Sequence, residues 1–224
     1  MKSIYGALPA LVQRGVMLFL LLLLPGLALA APRTLLVMGD SLSAGYGLAL
    51  NQGWVPLTAQ RMRSTHPGWR VVNASISGET TSGGASRIAA EIKRAHPSVV
   101  LIELGANDGL RGLDLSQTRL NLDRMIRESK AAGARVLLVG MRMPPNFGAQ
   151  YTRSFQQNYS ELARQHHVAL LPFFLAPIAG NRNAFQPDNL HPVAAVQPRL
   201  RDHVWAALSP LLDQPSAGRR KRAD

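Results

Sequence analysis

The chain has 224 residues, 46% of them hydrophobic and 17% charged, which suits one globular domain and excludes a disordered chain or two full-sized domains. Cysteine is absent, so a disulfide scaffold, thiolate catalysis, iron–sulfur clusters and cysteine-ligated zinc are excluded together. The formal charge of +12 invites a nucleic-acid reading, but six of the 25 basic residues sit at the two ends of the chain and no stretch interleaves basic with aromatic residues, so no nucleic-acid partner is expected.

Residues 1–31 read as a cleavable signal peptide: Lys2 and Arg14 form a positive start, Val16 to Leu24 an apolar run, and Ala28-Leu29-Ala30 a small-x-small cleavage site. Pro25 and Gly26 break the apolar run before it is long enough to span ~30 Å of hydrocarbon. No cysteine comes after it, which excludes a lipoprotein anchor. Cleavage near Ala30 implies a mature chain that works in the periplasm or outside the cell, where a protein without thiols is indifferent to oxidation.

From there, short β-branched apolar runs alternate with longer stretches of helical period. Strands are expected at Thr34–Gly39, Arg70–Ala74, Ser98–Leu104, Arg135–Met141 and Val168–Pro172, each a nearly continuous hydrophobic run of the kind buried on both faces of a parallel sheet. Helices are expected at Trp54–Thr65, Thr81–Ala95, Ser116–Ala132, Tyr151–His166 and Ala194–Leu208, with Pro97 and Gly133 as stops. Five strands interleaved with helices make one α/β domain over residues 32–213. Residues 214–224 are rich in Pro, Ser, Gly and Arg and read as a flexible basic tail.

In an open α/β sheet, ligands bind beyond the carboxyl ends of the strands. The first strand leads into Gly39-Asp40-Ser41-Leu42-Ser43, the second into Ser75-Ile76-Ser77-Gly78-Glu79 and the third into Gly105-Ala106-Asn107-Asp108. Asp188-Asn189-Leu190-His191-Pro192 precedes the last helix. A serine hydroxyl attacks a carbonyl only if a base takes its proton. Ser41, on a tight turn beside Gly39, is the candidate nucleophile. His191 is the candidate base, since imidazole both accepts and returns a proton near neutral pH. Asp188, three residues earlier, can hold the other ring nitrogen. The amides of Ser41 and Gly78 and the side chain of Asn107 are candidate donors to the oxyanion.

These residues resemble the SGNH (GDSL) hydrolase superfamily, whose four name-giving residues correspond to Ser41, Gly78, Asn107 and His191. The resemblance spans residues 34–212 and is nearest to the TesA-type periplasmic enzymes, through Gly-Asp-Ser-Leu-Ser-Ala-Gly-Tyr, Val-Asn-Ala-Ser-Ile-Ser-Gly-Glu-Thr and Glu-Leu-Gly-Ala-Asn-Asp-Gly-Leu-Arg-Gly. It implies a three-layer α/β/α, flavodoxin-like fold with a five-stranded parallel sheet in the order 2-1-3-4-5. It also implies thioesterase, arylesterase and lysophospholipase activity through a covalent acyl-enzyme, on small acyl esters, acyl thioesters or lysophospholipids, with no cofactor and no metal. Two departures stand out: Glu79 where many relatives have Asp, and the basic tail from Arg219. The corresponding loops of such enzymes line the acyl groove, which makes Leu110, Arg111, Met143, Pro144 and Phe147 candidate substrate contacts.

Other residues have plainer roles. Asp40 reads as structural, bonding amides within its turn. His66, His96, His166, His167 and His203 fall at helix ends or on helical faces. Gly45-Tyr46-Gly47 opens like a dinucleotide fingerprint, but Leu50 stands at the third glycine position, so a nucleotide site is discounted. Two alternatives stay open: an esterase for acetyl groups on polysaccharide or peptidoglycan, and a non-catalytic lipid-binding protein using the same groove. The chain is expected to be a monomer, and Arg219, Arg220, Lys221 and Arg222 offer weak contact with anionic membranes.

Overall fold

The computed structural model describes residues 32–214; residues 1–31, read as a leader, and all but the first residue of the expected tail 214–224 lie outside these. Strands β1 (Arg33–Gly39), β2 (Trp69–Asn73), β3 (Val99–Glu103), β4 (Arg135–Val139) and β5 (Ala169–Leu171) form one sheet. Every neighbouring pair is parallel, and the order is β2-β1-β3-β4-β5. Leu35 to Met38 of β1 and Val99 to Ile102 of β3 are fully buried. Only a strand covered on both faces can hide so continuous an apolar run.

The covering layers come from five helices, α2 (Trp54–Thr65), α3 (Thr81–Ala95), α5 (Leu115–Ala131), α6 (Ala149–His166) and α7 (Gln197–Asp213). Helix α2 packs on α7, while α3, α5 and α6 pack in series. The first two begin and end on the expected residues. Helix α5 starts one residue early because Asp114 caps it, accepting from the Ser116 amide at 2.7 Å. Helix α6 starts at Ala149, directly after Gly148 turns the chain with φ 86°. Helix α7 is preceded by a single 3-10 turn at Ala194–Val196 and runs past Pro210 to Asp213, beyond the expected end at Leu208. Proline costs that turn one hydrogen bond, but Leu208 and Leu212 are both fully buried on either side of it.

Two further helices, α1 (Ser41–Ala44) and α4 (Ala106–Leu110), were not legible as periodic segments. At four and five residues they are too short to show a period. Both sit at the carboxyl edge of the sheet, after β1 and β3. These adjacent strands flank the point where the strand order reverses, the usual place for a ligand.

Candidate active site

The serine turn is built by close packing. Strand β1 ends at Gly39, where an added Cβ would lie 2.6 Å from both Cβ and Oγ of Ser43, so only glycine lets α1 fold back against its own strand. Asp40 caps α1 by accepting from the Leu42 amide at 2.9 Å. At the other end Gly45, in the left-handed region with φ 81°, donates to the Ser41 carbonyl at 3.1 Å. Ser41 thereby becomes the first helical residue and lines the cleft.

His191 reaches this serine from the loop before α7. Its Nε2 lies 2.8 Å from Ser41 Oγ, and its Nδ1 lies 2.6 Å from Asp188 Oδ2. The other oxygen of Asp188 accepts from the amides of Leu190 and His191 at 2.9 and 3.0 Å. Partial burial works against the Asp188 charge, but hydrogen bonds from the His191 ring and from these amides outweigh it and lower its pKa to about 2. The carboxylate therefore stays ionised wherever the histidine needs a fixed acceptor.

The histidine loop is itself clamped. Phe185 and Pro192 form an antiparallel bridge, and the Gln186 amide donates to the His191 carbonyl at 2.7 Å. Gln186 Nε2 then donates to the Tyr46 carbonyl at 2.9 Å, and the Tyr46 ring lies on His191 with 4.5 Å between centroids. A Cβ on Gly47 would fall on the Gln186 side-chain amide. Gly45-Tyr46-Gly47 is thus the close-approach turn that sets an aromatic ring against the histidine. Sequence reasoning found the glycines but missed Tyr46, because its partner lies far along the chain.

The proposed oxyanion donors divide into two kinds. The amides of Ser41 and Gly78 have no hydrogen-bond acceptor among the described residues, and both residues line the cleft. Gly78 takes φ 78°, a conformation that suits glycine. Asn107 also lines the cleft, but its Nδ2 already donates to Asp40 Oδ2 at 3.1 Å and to the Glu79 carbonyl at 3.0 Å. It reaches an oxyanion only by sharing one of these protons. Glu79 turns its longer side chain outward from this contact to pair with Arg87 of α3 through two hydrogen bonds, one of them 2.8 Å. Asp40 is 1% exposed. Burial raises its pKa to about 6, against the opposing effects of the Leu42 amide, His191 and Asn107.

The cleft has a volume of about 680 Å³. Leu110, Met143 and Pro144 line it as expected, together with Leu42, Met141, Phe173, Leu175 and Leu190. Two expected contacts lie elsewhere. Phe147 stacks on Tyr151 at 6.0 Å and lines a separate, more open depression; the 3-10 turn Pro145–Phe147 carries it away from the cleft. Arg111 does not line the cleft either, but donates to the Gly78 carbonyl at 3.0 Å, tying two rim loops together. Arg142, unremarked in the sequence, lines the cleft with its guanidinium over Phe173. The other histidines take no part in the triad: His66 meets Asp213, His166 meets Asp123 and His203 meets the Phe173 carbonyl. His96 and His167 end α3 and α6 in the left-handed region.

Serine, glycine, asparagine and histidine gathered at the carboxyl edge of a doubly wound sheet define the SGNH class of hydrolases. The sequence pattern of the GDSL-like lipase/acylhydrolase family matches residues 37–197, and the chain belongs to that family. It is 48% identical over 183 residues to "Esterase TesA" of Pseudomonas aeruginosa, covering 82% of this chain and 91% of that protein. It is 40% identical over 198 residues to "Thioesterase 1/protease 1/lysophospholipase L1" of Escherichia coli K12, covering 88% and 94%. Among solved structures, a crystal structure of TesA superposes with a TM-score of 0.78 at 47% identity, covering 80% of this chain and 99% of that one.

Proposed function

We propose that this chain is an exported serine esterase that hydrolyses fatty-acyl esters and thioesters, arylesters and lysophospholipids among them, through a covalent acyl-enzyme. The observation that carries the reading is the unbroken series from Ser41 Oγ to His191 Nε2 and from His191 Nδ1 to Asp188. Ser41 attacks the acyl carbon as His191 takes its proton, and Asp188 stabilises the imidazolium. Charge building on the carbonyl oxygen is met by the Ser41 and Gly78 amides and by Asn107. His191 then gives its proton to the leaving alcohol or thiol. Water, deprotonated by the same histidine, releases the acid. A thiolate leaves more readily than an alkoxide, so thioester cleavage leans less on that proton.

The shape of the cleft bears on substrate class. Its apolar lining and a volume of about 680 Å³ leave room well beyond an acetyl group, which favours a longer acyl chain over acetyl esters. The names of the relatives point the same way. Residues 1–31 would be the export signal and the hydrolase domain would occupy residues 32–213. Arrival in the periplasm or the medium is checked by sequencing the amino terminus of the exported protein, expected to begin near Ala31.

The test is a hydrolysis panel of p-nitrophenyl acyl esters, acyl-CoAs and lysophospholipids, run on the mature chain and on Ser41→Ala. The variant should lose turnover by about 10⁴-fold or more and all fluorophosphonate labelling, with unfolding changed by only about 1 kcal/mol. Activity within tenfold of the parent would overturn the assignment. Turnover of acetyl esters alone would favour the acetyl-esterase alternative. Acyl-chain binding without turnover would favour the lipid carrier.

A further inference from the structure

Behind the serine turn lies an acidic group that the hydrolytic cycle leaves unused. Glu103 ends β3 directly opposite Gly39 of β1 and is 2% exposed. It takes part in none of the ion pairs among the described residues. Its Oε2 accepts from Ser43 Oγ at 2.6 Å, and the Ser43 carbonyl accepts from Asn73 Nδ2 at 2.9 Å. Glu103 therefore holds α1 from beneath, two residues from Ser41. The neighbouring Asp40 is buried as well, with one oxygen on the Leu42 amide and the other on Asn107.

Two buried carboxyl groups with no cation between them do not both ionise, because each charge lacks water and repels the other. One retained proton removes the conflict. Which member keeps it is decided by the hydrogen-bond donors and charges around each. Asp40 has an amide donor on each oxygen and faces His191. Glu103 has the Ser43 hydroxyl and the Asp40 backbone amide as donors and, among the described residues, no group beside it that can become a cation, so Asp40 is the better place for the charge.

We propose that Glu103 is a positioning residue of this site, protonated at working pH. Its neutral carboxyl clamps the serine turn through Ser43, while Asp40 carries the single negative charge of the pair and orients Asn107. The inference rests on the serine-hydrolase reading and deepens it. Burial first, then the charge of Asp40, pushes Glu103 well above the usual carboxylate range, and the Ser43 hydroxyl and Asp40 amide do not offset this. The other titratable groups facing the pair are His191 beyond Asp40, Glu79 already paired with Arg87, Asp108 of α4 and Tyr159 of α6. Among these only His191 can become a cation, and it serves Asp188. Asp108 is held by Thr81 and Thr118, and the Tyr159 hydroxyl donates to the Leu104 carbonyl at 3.0 Å.

The test compares Glu103→Gln, Glu103→Leu and Ser43→Ala with the parent in kcat and KM on a p-nitrophenyl ester, in fluorophosphonate labelling, and in the infrared band of a protonated carboxyl. Glutamine mimics the neutral acid and accepts from Ser43, so it should keep kcat within about threefold. Leucine removes the acceptor and should lower kcat roughly 10–100-fold with little change in KM, as expected when a group acts on transition-state geometry. If leucine prevents folding, Ser43→Ala cuts the same clamp and should lower kcat in the same sense. At neutral pH the parent should show a protonated-carboxyl band that Glu103→Gln lacks. A glutamine variant as slow as leucine, no difference in that band, or Ser43→Ala at parental kcat would each overturn the proposal. Absence of fluorophosphonate labelling in the parent itself would instead count against the serine-hydrolase reading.

Discussion

Two aspartates flank the serine turn, and the fold treats them in opposite ways. Asp188 lies on a partly open loop, its side chain 37% exposed, with a histidine on one oxygen and two amides on the other. Its pKa is lowered to about 2, although burial alone would raise it. Asp40 lies in the core at 1% exposure. Its donors are two against the three of Asp188; burial prevails and the pKa rises to about 6. The same side chain stays ionised down to about pH 2 in one place and takes up a proton already below about pH 6 in the other. At Asp188 hydrogen bonds outweigh desolvation, and at Asp40 desolvation outweighs the hydrogen bonds.

The largest effect that would test this contrast is on Asp188. Asp188→Asn keeps the shape but offers the histidine an amide, so kcat should fall by about 10³–10⁴ while KM changes little. Steady-state kinetics decide it, and a loss below tenfold would mean that Asp188 is dispensable for holding His191. On the Asp40 side, Asn107→Ala removes a donor that is shared with Asp40 and the Glu79 carbonyl. A fall in kcat of about 10²–10³ is expected for a lost oxyanion donor. A rise in KM alone would make Asn107 a ground-state contact.

The smallest effect separates the two aspartates by pH. Folding lowers the Asp188 pKa from 3.8 to about 2, so its contribution to stability is present above 3.8 and is lost as pH falls toward 2. Folding raises the Asp40 pKa from 3.8 to about 6, so its contribution is full below 3.8 and is lost as pH rises through 6. Relative to Asp40→Asn, the parent should therefore lose stability between these two pH values, by an amount on the order of 2–3 kcal/mol. Denaturant unfolding of both proteins across that window measures the difference. A parallel pH dependence would remove the contrast.

Much of this site could be read before any coordinates. Ser41, Gly78, Asn107, Asp188 and His191 each lie in a short local motif just beyond a strand or before the last helix, and strand ends are where an α/β sheet presents chemistry. The five strands were legible because burial on both faces leaves a continuous apolar run. Helices α1 and α4 were not, because a helix of four or five residues has no period to detect. Phe147 was assigned to the cleft from its place in the loop after β4, and one 3-10 turn sends it elsewhere.

The sequence by itself determined the alternation of strands and helices, the candidate nucleophile and base, and the absence of thiol chemistry. These depend on residue type, on spacing, or on both, within a few turns of chain. Only the tertiary structure decided that Tyr46 lies on His191, that Arg111 braces the Gly78 loop, that Asn107 already has two acceptors, and that Glu103 sits beneath Ser43. Each of those pairs joins segments separated by tens of residues or more. Their meeting depends on the order in which the strands pair and on how closely the loops can approach, which Gly39 and Gly47 set by having no side chain. Local patterns carry no record of such distances, and the charge on Asp40 or Glu103 exists only as a property of its surroundings.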